Sequence, residues 1–379
     1  MAVISYLTKI QFDFGAIKLL ADEMKALGIK RPLIVTDKGL VKTGILDTIR
    51  ANIPNEFDVS VFDGTPENPT EAATWEALKI YKENGCDGII AVGGGSSMDL
   101  AKGVRLLATH EGPLAQYAMV EGGVARIRPD VSKLIAVATT SGTGSEVGRG
   151  AVIVLEDGRK LALVSPYLIP NVAINDPELT LGLPPVLTAG TGMDAITHCI
   201  ETFLSLAVNP PADGISLEGL RLASRSIETA VKDGSNRQAR WDMMMGSMMG
   251  AMSFQKGLGA VHALSHPLGA VKGLRLHHGT LNAVFLPAVL RFNKSVVGDK
   301  YPRVAQAMGL PENTDIADAI SKLNAKLGIP ASLREMGVTD DLLDGIALAA
   351  TKDHAHPTNP RTPSVAEYRK LLDEAMAGN

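Results

Sequence analysis

Up to about residue 180 the chain alternates short β-branched apolar runs with stretches whose apolar residues recur at helical spacing. Pro32–Thr36, Val59–Phe62, Gly88–Val92 and Leu134–Ala138 are near-continuous apolar runs, the pattern of parallel strands covered on both faces. Ile17–Leu27, Ala72–Asn84 and Met98–Thr109 lie between them and predict helices, so this half reads as β/α units around a parallel sheet. After Leu183-Pro184-Pro185 the strand signal nearly disappears. Thr188–Ser205, Ala212–Val231, Ala239–Phe254, Ala260–Ala270, Asp315–Leu327 and Asp340–Ala350 predict helices joined by Pro- and Gly-rich segments. The expected organisation is an α/β dinucleotide-binding domain over residues 1–182 and a helical, metal-binding catalytic domain over residues 183–379. Met243, Met244, Met245, Met248, Met249 and Met252 fall at spacings that suit core packing better than a soft-metal box.

Two Gly-rich turns interrupt the apolar pattern where strands end. Gly93-Gly94-Gly95-Ser96-Ser97-Met98-Asp99 follows the third run directly and opens a helix. Glycines there let a ligand approach the backbone, and the free N–H groups of the next helical turn make an anion site. The segment is neither a G-x-G-x-x-G fingerprint nor a P-loop. Thr139-Thr140-Ser141-Gly142-Thr143-Gly144-Ser145-Glu146 follows the fourth run in the same way. Two such turns at strand ends suit an extended ligand with two phosphates, and a dinucleotide fits best. Asp37 ends the first run, where a carboxylate accepts ribose hydroxyls and repels a 2′-phosphate, favouring NAD over NADP.

Asp194 and His198 stand four residues apart on a predicted helix and so share a face, as a carboxylate and an imidazole closing on one divalent ion would. Of only eight histidines, four (His262, His266, His277 and His278) crowd into an otherwise apolar stretch, and imidazoles in such surroundings need partners. On spacing alone either His277 or His278 completes the ligand set. Cys86 and Cys199 are too few for a disulfide framework and read as buried thiols. With 379 residues, 45% hydrophobic and a net charge of −4, the chain can bury a large core and shows no basic stripe for nucleic acid. Met1–Gln11 lacks the pattern of a signal peptide and no run is long enough to cross a bilayer, so no membrane association and a cytoplasmic location are expected.

These motifs together resemble the iron-containing, or group III, alcohol dehydrogenases, a family that includes lactaldehyde reductase, 1,3-propanediol dehydrogenase and maleylacetate reductase. The resemblance runs over nearly the whole chain: Thr36-Asp37-Lys38, Pro66-Glu67-Asn68-Pro69-Thr70, Gly93-Gly94-Gly95-Ser96, Thr140 to Glu146, Lys160 with Val164-Ser165-Pro166, Asp176-Pro177-Glu178-Leu179-Thr180, and Thr358-Asn359-Pro360-Arg361. It implies a dehydroquinate-synthase-like fold with the active site between an α/β domain and a helical domain. It implies a metal held by Asp194, His198, His262 and His278, with His266 beside it as a proton carrier, and a His-Gly pattern that selects His278 over His277. It further implies that NAD(H) is held by Asp37, Asn68, Gly94, Gly95, Ser96, Asp99, Thr139, Thr140, Ser141, Thr143, Ser145, Lys160 and Leu179, and that the protein is a homodimer. The expected metal is Fe²⁺, with Zn²⁺ or Mn²⁺ compatible with the same donors. The expected reaction is hydride transfer between an alcohol or aldehyde substrate and the nicotinamide, with the ion acting as Lewis acid.

The chain departs from the family at Gly148 and Gly150, where many members carry Thr and a larger residue, and at His354 and His356. Smaller side chains at 148 and 150 open the expected pocket or simply serve a turn or bulge. Arg149, His354 or His356 would then read a polar or anionic end of the substrate. Two other functions fit the fold: a dehydroquinate-synthase-type lyase or cyclase, which would need more Lys and Arg in the cleft motifs, and a non-catalytic nucleotide or metal sensor.

Overall fold

The computed structural model describes residues 8–271 and 273–378. They form two compact units, one of residues 8–140 with 144–180, the other of residues 141–143 with 181–271 and 273–378.

The first unit is built on a six-stranded, wholly parallel sheet in the order β1-β8-β5-β4-β2-β3. Its strands are β1 (Lys9–Phe12), β2 (Pro32–Val35), β3 (Ser60–Phe62), β4 (Gly88–Gly93), β5 (Lys133–Ala138) and β8 (Val172–Asn175). β2, β4 and β8 are buried along their whole length, which explains why the middle of the sheet reads as continuous apolar sequence rather than alternation. Helices α1 (Leu20–Leu27), α2 (Lys38–Lys42), α3 (Ile45–Ala51), α4 (Glu71–Glu83) and α5 (Gly95–Leu107) connect these strands. β1 and β8 were not among the expected strands; both are only four residues long, and at the sheet edge β1 is not an apolar run. A second departure is an antiparallel hairpin outside the sheet, β6 (Gly150–Val154) with β7 (Lys160–Val164), turning through Asp157-Gly158 with Gly158 at φ 85°. Asp-Gly between two apolar runs is itself a hairpin signal.

In the main sheet β4 pairs with β5 from Gly88 opposite Lys133 to Gly93 opposite Ala138. The two Gly-rich turns therefore leave the same sheet edge side by side. The Thr139 N–H donates to the Gly93 carbonyl at 3.1 Å, and a Cβ on Gly94 would lie 3.1 Å from Thr140 Oγ1.

The second unit is helical: α6 (Pro185–Leu204), α7 (Pro210–Lys232), α8 (Arg237–Ser253), α9 (Ala260–Leu268), α10 (His278–Asn293), α11 (Lys300–Ala307), α12 (Ile316–Lys326), α13 (Leu343–Ala350) and α14 (Val365–Ala377). α10, α11 and α14 add to the expected helices. Pro287 within α10 is a poor helix former, which tertiary packing overrides. One core runs through this unit, with Met193, Ile196, Ile200, Phe203, Leu264, Leu281, Phe285 and Tyr368 fully buried. Met243, Met244 and Met248 are buried as core residues, and Cys86 and Cys199 are buried free thiols. Among the described residues no helix is long and apolar enough to cross a membrane.

Candidate metal centre

α6 is buried from Thr188 to Leu204, so the face carrying Asp194 and His198 points into the unit rather than to water. Asp194 Oδ1 lies 3.7 Å from His198 Nε2, 3.8 Å from His262 Nε2 and 3.7 Å from His278 Nε2. Four donors about 2.1 Å from a common tetrahedral centre are about 3.4 Å apart; each of the three distances to Asp194 is close to that, and the donor atoms of Asp194, His262 and His278 all lie within 4.8 Å of one another, a group that does not include His198. The donor set, one carboxylate and three imidazoles, is a mixed O/N set suited to Fe²⁺ and Zn²⁺. Asp194 and His262 are buried and His278 is half-buried, which leaves the set open on the His278 side.

The electrostatics follow from that crowding. Burial pushes the Asp194 carboxyl up, but His198, His262 and His278 outweigh it and hold it below the usual carboxylate range. Burial lowers His198 to about 4 and keeps its imidazole neutral, the form that ligates. Burial also disfavours charge on His262, yet Asp194 and Glu201 push it up to about 9. The Asn282 amide nitrogen donates to Asp194 Oδ1 at 2.7 Å and lies 3.2 Å from Nε2 of both His262 and His278.

His266 follows His262 by one turn of α9 and is also buried. Its ring stacks on His278 at 5.4 Å and on His354 at 5.2 Å, and its Nδ1 is 2.9 Å from Asp353 Oδ2.

In the α/β unit, Asp37 caps α2, its Oδ1 accepting the Gly39 and Leu40 N–H groups at 2.7 and 3.1 Å. Gly94 and Gly95 begin α5, and Ser96 donates to the Glu67 carbonyl. Asn68 Oδ1 accepts from Lys160 Nζ at 2.8 Å. Asp99 accepts from Ser145 Oγ at 2.7 Å and from the Val152 N–H at 2.9 Å. Leu179 is buried in a short 3₁₀ turn. Ser141 and Thr143 belong to the helical unit, away from Thr139 and Thr140 in the division of the chain.

The family comparisons agree over the full length. Residues 8–177 match the model described as iron-containing alcohol dehydrogenase, and residues 188–376 match that of the Fe-containing alcohol dehydrogenase family, C-terminal. The chain belongs to the iron-containing alcohol dehydrogenase family. It is 56% identical to a 4-hydroxybutyrate dehydrogenase of Cupriavidus necator, over 99% of this chain and 100% of that one. The crystal structure of a 1,3-propanediol oxidoreductase superposes with a TM-score of 0.92 at 37% identity, covering 99% of this chain and all of the other. A sulfoacetaldehyde reductase from Bifidobacterium kashiwanohense, solved with NAD⁺, superposes with a TM-score of 0.89 at 26% identity, each chain covered completely. As a member of this family the chain is an NAD-linked, iron-type alcohol dehydrogenase, and the lyase and sensor alternatives gain no support.

Within this dehydrogenase the remaining histidines separate cleanly. His277 is the N-cap of α10, its Nδ1 accepting the Thr280 N–H at 3.3 Å, and so starts the helix whose next residue is His278. His356 turns to the Tyr368 hydroxyl at 3.0 Å, whereas His354 stacks on His266. Arg149 is exposed. The sequence reading did not single out Glu201, Asn282, Asp353 or Lys102. Glu201 lies seven residues after Asp194 and Asn282 four after His278, so both carried a same-face signal. Asp353 is distant from His266 in sequence and carried none. Lys102 is fully buried and donates to Ser145 Oγ and to the carbonyls of Gly148 and Gly150, and burial lowers its ammonium to about 8.

Proposed function

We propose that Asp194, His198, His262 and His278 hold one Fe²⁺ per chain and that this centre oxidises a short ω-hydroxy acid, or reduces its semialdehyde, with NAD(H). The observation that carries the reading is the meeting of three imidazole Nε2 atoms within 3.8 Å of one buried carboxylate oxygen. When bound, the ion supplies Lewis acidity toward the substrate oxygen. His266, with Nδ1 tied to Asp353, has Nε2 left to carry a proton to or from that oxygen. Asn282 steadies the Asp194 carboxylate through its amide. NAD(H) is held by Asp37, Asn68, Gly94, Gly95, Ser96, Asp99, Thr139, Thr140, Ser141, Thr143, Ser145, Lys160 and Leu179, a reading supported by adjacent Gly-rich turns at one sheet edge. Residues 1–182 serve as the nucleotide domain and residues 183–379 as the metal-binding domain. The substrate class is supported by the 56% identity to a 4-hydroxybutyrate dehydrogenase. The homodimer that the family resemblance implies and the cytoplasmic location expected from the sequence are tested by light scattering and cell fractionation.

The test uses the full chain, stripped of metal and reloaded with Fe²⁺. With NAD⁺, 4-hydroxybutyrate is expected to give a higher kcat/KM than 1-butanol or 1,3-propanediol, and His262→Ala is expected to abolish both metal retention and turnover. Full turnover by chelator-treated protein that contains no metal would overturn the assignment of the centre. A preference for uncharged alcohols would overturn the substrate class.

A further inference from the structure

Glu201 sits on α6, buried, one turn beyond His198, and its two carboxylate oxygens have separate tasks. Oε2 lies 2.6 Å from His262 Nδ1. Oε1 accepts the Val261 N–H at 2.8 Å, one of the first amides of α9, which the start of a helix leaves without an intrahelical acceptor. The neighbouring Ala260 N–H is taken by Asn359 Oδ1 at 3.0 Å, so side chains from two distant segments fix the first turn of α9. Space is reserved for both acceptors: a Cβ on Gly259 would stand 2.7 Å from Glu201 Oε1 and from Asn359 Oδ1.

We infer that Glu201 is the positioning residue of the metal centre: it holds the His262 proton on Nδ1, turns Nε2 toward Asp194, and fixes the backbone of the same residue through the N-terminus of α9. The inference rests on the ligand set proposed above. A neutral imidazole can carry its proton on either nitrogen, and only the Nδ1–H form leaves Nε2 with a lone pair for a cation. A carboxylate accepts from both donors at once. Glutamine cannot, because its amide offers one acceptor and two donors, so in Glu201→Gln one of His262 Nδ1–H or Val261 N–H meets an N–H group. The partner of a ligating histidine typically contributes 10- to 100-fold in metal affinity.

The experiment compares wild type, Glu201→Gln and Glu201→Asp as metal-free full-length chains. Nitrogen-15 spectra of labelled histidine report the His262 tautomer, His262→Ala supplies the resonance assignment, and Co²⁺ titration against a competing chelator reports affinity. Recorded above pH 9, where His262 is neutral, wild type is expected to show the Nδ1–H form. Glu201→Gln is expected to lose that single tautomer and to bind Co²⁺ roughly 10- to 100-fold more weakly, with Glu201→Asp, one methylene short, also weakened. Circular dichroism and thermal melts verify that each variant is folded before it is titrated. A purely structural glutamate would lower the melting temperature while leaving the tautomer and Co²⁺ affinity of the folded variants unchanged, and that outcome overturns the inference. Failure of wild type itself to bind Co²⁺ would instead overturn the ligand assignment, while the tautomer measurement still decides the role of Glu201.

Discussion

Asp353 Oδ2 and His266 Nδ1 stand 2.9 Å apart, joining a loop just after α13 to the last turn of α9 across 87 residues of sequence. The same carboxylate accepts the Ala355 N–H through Oδ1 at 2.8 Å, so its direction is set from both ends. Burial pushes the Asp353 carboxyl up, but His266 outweighs it and keeps the group below the usual carboxylate range. Asp353 therefore stays ionised and holds His266 with its Nδ1 proton in place. Asp353→Asn is expected to lower kcat by roughly 100-fold, the scale of a misdirected acid–base group, while metal content by elemental analysis stays at the wild-type level. An unchanged kcat would make the pair purely structural.

Lys160 supplies a pH dependence. Burial lowers its ammonium to about 8, against a partial counter-effect of Asp99, so the group is charged below that pH and neutral above it. On the proposed placement of Lys160 at the cofactor, NAD⁺ affinity measured by fluorescence titration should be greatest near neutral pH and fall by several-fold above pH 9. Lys160→Arg, charged throughout, should flatten the profile. The stability effect has a definite sign. The folded value lies below the unfolded one of about 10.4, so the burial penalty is fully present below pH 8 and is relieved as pH rises through that window. Identical NAD⁺ profiles for wild type and Lys160→Arg would remove Lys160 from the cofactor site.

Asp37 caps α2 and is proposed to set the preference for NAD, and a single substitution can separate the two. Its Oδ1 caps α2, and replacing such a cap by glycine costs only a few tenths of a kcal/mol. Asp37→Gly should thus narrow the preference for NAD over NADP and lower the melting temperature slightly. Asp37→Asn keeps a capping oxygen while removing the charge that repels a 2′-phosphate, so it should narrow the preference without the stability loss. Steady-state kinetics with both cofactors and a thermal melt check the two effects. A wild-type enzyme equally active with NADP would reject the role of the carboxylate.

Gly150 opens β6 without a positive φ, and a Cβ there would meet only the Leu163 carbonyl, at 3.9 Å. The backbone therefore does not require glycine, which favours reserved space over a turn requirement. Gly150→Phe is expected to lower kcat/KM for long or branched substrates by on the order of tenfold, equivalent to about 1.4 kcal/mol, with little effect on a small alcohol. An equal loss for both classes, in a variant that folds and binds NAD⁺, would show that Gly150 does not set specificity.

Much of the centre was legible in the chain because it uses helical periodicity. Asp194 with His198, and His262 with His266, are one turn apart, and a helix places such pairs on one face wherever it packs. The central strands were legible because a parallel sheet covered on both faces needs unbroken apolar runs, and the Gly-rich turns because glycine marks close backbone approach. Choosing His278 over His277 took the family pattern. In the structure His277 is the cap of α10, while His278 is its first residue, with Nε2 3.7 Å from Asp194 Oδ1. Only tertiary structure could bring Asp353 to His266, Asn282 to Asp194, or both oxygens of Glu201 to α9, because a hydrogen bond between residues far apart in sequence leaves no periodic trace. The same holds for β1, whose Lys-Ile-Gln-Phe sequence is not an apolar run and which becomes a strand by pairing with β8. Local sequence determined which faces carry chemistry; the packing of α6 against α9 and α10 decided which atoms meet.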